Sequence, residues 1–281
     1  MKVSGFTFCR NAVKYDYPVV ESIRSALPVC DEFIVNVGRC DDGTLELIQS
    51  IGDPRIKIVE SVWDETLRKD GLIYSQQTNI ALAQCKGDWA FYIQADEVVH
   101  EDDLPLLQQS MRQHLGNPAV KGLLFRYLHF IADYWSTNPW FYHKAVRVIR
   151  NNGEVESCGD AVGFHVKATQ QYLQSGPKDW LAYSGARMFH YGWVKDPKTM
   201  LEKKREQVMV YHGNQMTASE AKQLAQNEFC FDEYAILKEF NGSHPAVMQG
   251  RIGASRRWRA RRNRWLNPRF YRELMRRGFR G

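Results

Sequence analysis

An open α/β fold, with a mostly parallel sheet carrying helices on both faces, is predicted for this chain by three observations. Short apolar runs rich in β-branched and aromatic residues alternate with amphipathic segments through the first hundred residues. Polar or charged residues appear abruptly where three of those runs end. After residue 120 the alternation weakens into an aromatic-rich stretch, as expected of a second half that completes a cleft.

Each element follows from its residues. Val3 to Cys9 reads as the first strand, and Pro18 to Ala26 as a helix opened by a proline suited to its first turn. Glu32 to Val37 is the second strand, and Thr44 to Ile51 a helix with Leu45, Leu47, Ile48 and Ile51 on its apolar side. Ile56 to Val59, a helix over Tyr74 to Ala83, and Trp89 to Ile93 continue the pattern. The second half brings Tyr127 to Phe130, Tyr134-Trp135 and Trp140 to His143, then a strand at Ala145 to Ile149. Residues 197 to about 240 are mostly helical in pattern. The expected divisions are 1–120 and 121–196 as two halves of one domain, 197–250 as a helical extension and 251–281 as a tail.

With 281 residues, 44% of them apolar and 25% charged, the chain has the composition of a soluble protein with a substantial core. The start, Met1 to Gly5, has no basic stretch ahead of a long apolar run, and no window approaches the roughly 18 apolar residues of a membrane span. A cytoplasmic protein is expected. The six cysteines have no paired metal-site spacing and read as reduced thiols. The net charge of +6 conceals an asymmetry. Residues 251–281 hold twelve arginines and one acid, Glu273, for +11, which leaves −5 on the remainder. An anionic membrane surface is the favoured partner of this tail, with an intramolecular or oligomer contact and nucleic acid as the alternatives.

In open α/β sheets ligands sit at the carboxyl ends of the strands, which directs attention to the loops after Cys9, after Val37 and after Ile93. The last of these reads Gly87-Asp88-Trp89-Ala90-Phe91-Tyr92-Ile93-Gln94-Ala95-Asp96-Glu97. A carboxylate at such a strand end can hold a divalent cation through hard oxygen ligands, and the cation can neutralise a diphosphate.

This segment resembles the GT-A glycosyltransferases, and most closely the family-2-like bacterial enzymes, which commonly read Gly-Asp-Trp, several apolar residues and Asp-Ala-Asp-Glu. The resemblance covers roughly residues 3 to 105 and implies a GT-A-like nucleotide-binding sheet, an aromatic-rich acceptor lobe and C-terminal helices. It implies a sugar moved from a nucleoside-diphosphate donor to a glycan or lipid-linked acceptor, in cell-surface glycan or glycolipid synthesis. Asp96 matches the acid that binds the metal, Mn2+ or Mg2+, while Gln94 replaces the first acid of the motif. Cys9, Arg10 and Asn11 match the nucleotide-contacting loop, and Asp42-Gly43-Thr44 the start of the following helix. The aspartate often found directly after the second strand is absent here, where the chain has Val37-Gly38.

Arg39 and Asp41 are further donor candidates, as are Gln77 and Asn79 on the next helix, beside Gln94 and Ala95. Asp42 reads as a helix cap as readily as a ligand. His190, after an apolar run, resembles a metal or phosphate contact, and Lys195 and Lys203, with Lys204, are phosphate candidates. An inverting transferase needs a general base near the acceptor hydroxyl, for which Asp160, in a glycine-flanked loop, and Asp133 compete. Tyr134, Trp135, Trp140 and Tyr142 suit the apolar face of an acceptor sugar. The rival functions are a nucleotidyltransferase acting on a sugar phosphate and a noncatalytic nucleic-acid-binding protein led by the basic tail.

Overall fold

The structure is a computed structural model of the chain, and it describes all residues except 68, 214, 216, 232–237, 256, 259–270, 272–274 and 276–281. The first half is the expected alternation. It runs β1 (Val3–Cys9), α1 (Val19–Ala26), β2 (Glu32–Gly38), α2 (Thr44–Gln49), β3 (Ile56–Ser61), α3 (Leu72–Leu82) and β4 (Trp89–Tyr92). These strands are parallel and lie in the order β3-β2-β1-β4. They are buried on both faces because helices cover both sides. Val3, Trp89, Phe91 and Ile93 face α1 and α2, while Phe6, Ala90 and Tyr92 face α3. Gly5 is required where β1 crosses β2, since a Cβ there would collide with the Phe33 ring.

The second half extends the same sheet. It consists of β5 (Glu97–Val99), α4 (Leu104–Leu115), β6 (Gly122–Ile131), β7 (Ser136–Thr137), β8 (Lys144–Arg150) and, after a small sheet of β9 (Val155–Cys158), β10 (Gly163–Val166) and β11 (Gln171–Tyr172), the long β12 (Leu181–Trp193). β8 pairs antiparallel with β4 and with β6, and β12 runs parallel to β6 and antiparallel to β5. The mixed α/β sheet is therefore continuous through residue 193.

After β12, Asp196 caps α5 (Pro197–His212) by accepting from the Lys198 and Thr199 amides, with Pro197 in the first turn. α6 (Ala218–Leu224) follows. The expected helical character does not continue to residue 240. Phe229 and Phe231 are buried against Ile131 and Met200, and β13 (Lys238–Glu239) adds to β7 at the sheet edge. A short α7 (Gln249–Gly253) is fastened to the first half by Arg251, which pairs with Asp16 and Glu21. Among the described residues no helix is long and apolar enough to cross a membrane. Most of the arginine-rich tail, and with it the expected membrane contact, lies outside the described residues.

Candidate functional site

A cleft of about 550 Å³ opens at the carboxyl ends of β1 and β4, and α5 forms its opposite wall. Its floor is the turn after β4. Glu97 folds this turn by accepting from the Gln94 amide at 3.0 Å, and the Ser22 hydroxyl donates to the Gln94 carbonyl. Glu97 itself is fully buried and paired in a two-point contact with Arg147 of β8, at 2.8 Å for each nitrogen, and it accepts from the Tyr127 hydroxyl. The third Arg147 nitrogen reaches the Val162 carbonyl, so one buried guanidinium ties this turn to the loop that carries Asp160.

Asp96 projects into the cleft with little solvent exposure. The Lys203 ammonium of α5 lies 3.1 Å from its Oδ2, and His190 Nε2 of β12 lies 3.7 Å from its Oδ1. Burial alone would raise the carboxyl. The Lys203 ammonium, with Lys195 behind it, overcomes burial and holds it well below the usual carboxylate range. Lys204 also lines the cleft, over the Trp193 ring at 4.2 Å, and burial pulls it down to about 8.

Asp96 and His190 offer a carboxylate oxygen and an imidazole nitrogen, a donor pair that suits Mn2+ better than Mg2+. Gly192 leaves the room between them. A Cβ there would collide with Asp96 Oδ2 and lie 2.9 Å from His190 Nε2. Among the described residues no group of three or more His, Cys, Asp or Glu side chains converges, so a cation here would take its remaining ligands from the diphosphate and water. The pair fits such a shared site.

Asp160 sits across the same cleft, in a loop where Gly159 and Ala161 have φ of +59° and +63°. Positive φ at a buried alanine costs on the order of 1 kcal/mol, and the loop holds it through Arg147 and through Gln94 Nε2, which donates to the Ala161 carbonyl. The Tyr211 hydroxyl of α5 donates to Asp160 Oδ2 at 2.7 Å, and the Val162 amide to Oδ1. Asp96, Asp160 and Glu206 are the carboxylates lining the cleft among the described residues.

Of the residues expected to bind the donor, Cys9, Arg10, Asn11, Gln94, Ala95 and Asp96 line the cleft. Arg10 lies over the Trp63 ring and pairs with Glu65, and its Nε is buried without a partner. Trp63 packs its indole against Gly38, the place where an aspartate is absent, and its Nε1 is likewise unpartnered. Four donor expectations are corrected. Gln77 is fully buried and binds Asn36 and Ser61, and Asn79 ties α3 to β9 through both backbone groups of Ser157. Arg39 and Asp41 are exposed and do not line the cleft. Asp42 joins the loop after β1 to α2 by accepting from Lys14 and Thr44.

The remaining candidates divide. His190, Lys203 and Trp140 line the cleft. Lys195 is buried behind it, donating to the Asp16 carbonyl, and burial followed by the Lys203 charge pulls it down to about 7. Asp133 is spent on the Trp135 and Trp258 amides, outside the cleft. Tyr134 packs on Tyr191 and His244, and Trp135 bonds through its carbonyl to Phe240, so both serve the docking of the C-terminal segment and do not face an acceptor. The sequence reading missed His129, Phe141, Trp193, Gln207 and Tyr211, all of which line the cleft. Burial holds His129 far below its usual range, at about 3. For α5 the signal was present, because Lys203, Lys204, Gln207 and Tyr211 recur at the spacing of one helix face.

A sequence model described as Glycosyl transferase family 2 matches residues 7–173. Among solved structures, the chain is similar to S. aureus TarS, with a TM-score of 0.44, 14% identity, and 80% of this chain and 42% of that one covered. It is similar to TarS 1-349 in complex with UDP, at 0.41, 14%, 80% and 69%. It is also similar to glucosyl-3-phosphoglycerate synthase from Mycobacterium tuberculosis in complex with Mn2+, UDP and phosphoglyceric acid, at 0.32, 18%, 46% and 43%. The chain thus spans less than half the length of two of these three. No curated protein matches it.

Proposed function

The chain belongs to glycosyl transferase family 2, and from that premise we propose that it moves a sugar from a nucleoside diphosphate to an acceptor hydroxyl, by direct displacement with inversion. The observation that carries this reading is the placing of Asp96 between Lys203 and His190, in a cleft at the carboxyl ends of parallel strands. Lys203 at Asp96, and Lys204 one residue along the same wall of the cleft, offer positive charge to a diphosphate bound beside Asp96.

A leaving diphosphate needs stabilisation that grows as charge develops on its oxygens. Lys203 meets this need by sharing its ammonium between Asp96 and the departing phosphate, and Lys204 stands one residue along the same helix. A Mn2+ or Mg2+ ion held by Asp96 and His190 supplies Lewis-acid stabilisation of the same oxygens when bound. Asp160 takes the acceptor proton. The Tyr211 hydroxyl and the Val162 amide fix the Asp160 carboxylate, and each of its oxygens keeps a lone pair for the incoming hydroxyl. Trp140, Phe141 and Tyr142 form the wall against which the acceptor sugar stacks. That wall supports a glycan or lipid-linked glycan as acceptor, in cell-surface glycan or glycolipid synthesis. The basic segment 251–281 supports work at the cytoplasmic face of an anionic membrane.

The test is nucleotide release from UDP-, GDP-, CMP- and dTDP-sugars in the presence of Mn2+. One donor is turned over by the wild-type protein, and Asp96→Ala abolishes that turnover without lowering the melting temperature appreciably. A fully active Asp96→Ala protein removes Asp96 from the chemistry.

A further inference from the structure

His129 has no part in the account so far, although it lines the cleft and is almost wholly buried. It stands beside His190 in the paired register of β6 and β12. Its Nε2 lies 2.8 Å from the Tyr142 carbonyl, and its Nδ1 lies 3.3 Å from His190 Nδ1. We propose that His129 is a positioning residue that fixes the tautomer of His190, so that His190 Nε2 presents a lone pair toward Asp96 and is ready to bind a divalent cation.

A carbonyl oxygen only accepts, so the Tyr142 contact places a proton on His129 Nε2. Among the described residues no carboxylate pairs with His129, and its ring is packed among Tyr127, Phe141 and Tyr142, so it is neutral and carries that one N–H. Its Nδ1 is then an acceptor. The contact to His190 Nδ1 holds together only if His190 donates from Nδ1, and in the neutral ring that leaves its Nε2 unprotonated.

The 3.7 Å between His190 Nε2 and Asp96 Oδ1 agrees with this assignment. That separation is too long for a hydrogen bond and is natural for two lone pairs that face each other across the space Gly192 leaves open. Two such groups attract a cation between them and repel each other without one. The chain of three groups, Tyr142 carbonyl, His129 and His190, thereby converts a fixed backbone position into ligand basicity at the mouth of the cleft, as outer-shell partners of metal-binding histidines do.

This inference rests on the cation reading proposed above, and the experiment separates the two. Two-bond 1H–15N spectra of the metal-free protein, with 15N-labelled histidine, report each tautomer directly. The expected result is His129 protonated on Nε2 and His190 on Nδ1, and finding His190 protonated on Nε2 overturns the proposal. Calorimetry then measures affinity for pyrophosphate with and without Mn2+. His129→Phe keeps the ring volume and removes both nitrogens. It is expected to weaken Mn2+–pyrophosphate binding by about 10- to 100-fold while leaving metal-free pyrophosphate binding unchanged. His129→Asn, whose amide oxygen stands near the Nδ1 position, restores most of the loss. Equal Mn2+–pyrophosphate affinity in wild type and His129→Phe overturns the proposal. A wild-type protein whose pyrophosphate affinity is indifferent to Mn2+ overturns the cation reading itself, before any variant is made.

Discussion

Replacing Arg147 by methionine removes the cation from a pair in which neither partner touches solvent. Glu97 then keeps its charge in the interior with only the Gln94 amide and the Tyr127 hydroxyl as donors. Burial would ease the proton off Arg147, but the Glu97 carboxylate more than reverses that and keeps the guanidinium charged. Breaking such a pair from one side costs about 3–5 kcal/mol, because the surviving charge has lost its water and its partner. Methionine retains part of the packing between the Tyr92 and Tyr127 rings, which lie 5.2 and 5.3 Å from the guanidinium, so the electrostatic part dominates. For a chain of this size the loss corresponds to a fall of roughly 5–8 °C in melting temperature. Urea unfolding followed by tryptophan fluorescence measures it. Adding Glu97→Gln removes the stranded charge while leaving an acceptor oxygen, and the double variant recovers about 2 kcal/mol or more. If Arg147→Met unfolds within about 1 kcal/mol of wild type, or the double variant is no more stable than the single, the reasoning about this pair is wrong.

Asp160→Asn keeps an acceptor for the Val162 amide, turns the Tyr211 contact round so that the new NH2 donates to the phenol oxygen, and loses the base, so turnover falls by about 10²–10⁴-fold with donor affinity little changed. Asp133→Asn, away from the cleft, keeps its turnover rate, and kcat measured for both, with Glu206→Gln alongside, decides which carboxylate is the base. Lys195 gives a pH effect with a definite sign. Its folded pKa of about 7 lies below the 10.5 of the free side chain, so between these values the unfolded chain binds the extra proton and stability rises with pH. The destabilisation is complete below 7 and gone above 10.5, with a slope of up to about 1.4 kcal/mol per pH unit between them. Urea titrations at pH 7 and 9.5 therefore show wild type gaining about 2–3 kcal/mol on Lys195→Met over that interval, and a pH-independent difference between the two proteins contradicts the assignment.

The parallel half of the fold was legible because its strands are buried on both faces and so appear as continuous apolar runs, bounded by turns and helix starts. β1 occupies the expected Val3–Cys9, and β2 and β3 run only one or two residues beyond theirs. Asp96, Asp160 and Lys203 were legible as chemistry that a strand end, a glycine-flanked loop and a helix can present. What failed was direction. Gln77 and Asn79 are polar, yet α3 turns Gln77 into the core and spends Asn79 on β9, a choice made by tertiary packing that no local pattern reports. Tyr134 and Trp135 were expected to meet a sugar, but a segment about a hundred residues away, Phe240 to His244, covers them. His129 lay within the aromatic-rich stretch Tyr127 to Phe130 with nothing in its neighbours to mark it. Its meaning depends on a register neighbour, His190, that lies sixty-one positions along the chain.

The central claim, that Asp96 anchors a nucleotide-sugar site, is tested most directly by thermal shift. UDP-, GDP-, CMP- and dTDP-sugars are each added with Mn2+ to the wild-type protein and to Asp96→Ala. A ligand at 100 times its Kd stabilises the state that binds it by about 2.7 kcal/mol. One donor should therefore raise the wild-type melting temperature by several degrees and leave Asp96→Ala near its own unliganded value. An equal shift in both proteins, or no shift from any donor in the wild type, contradicts the account.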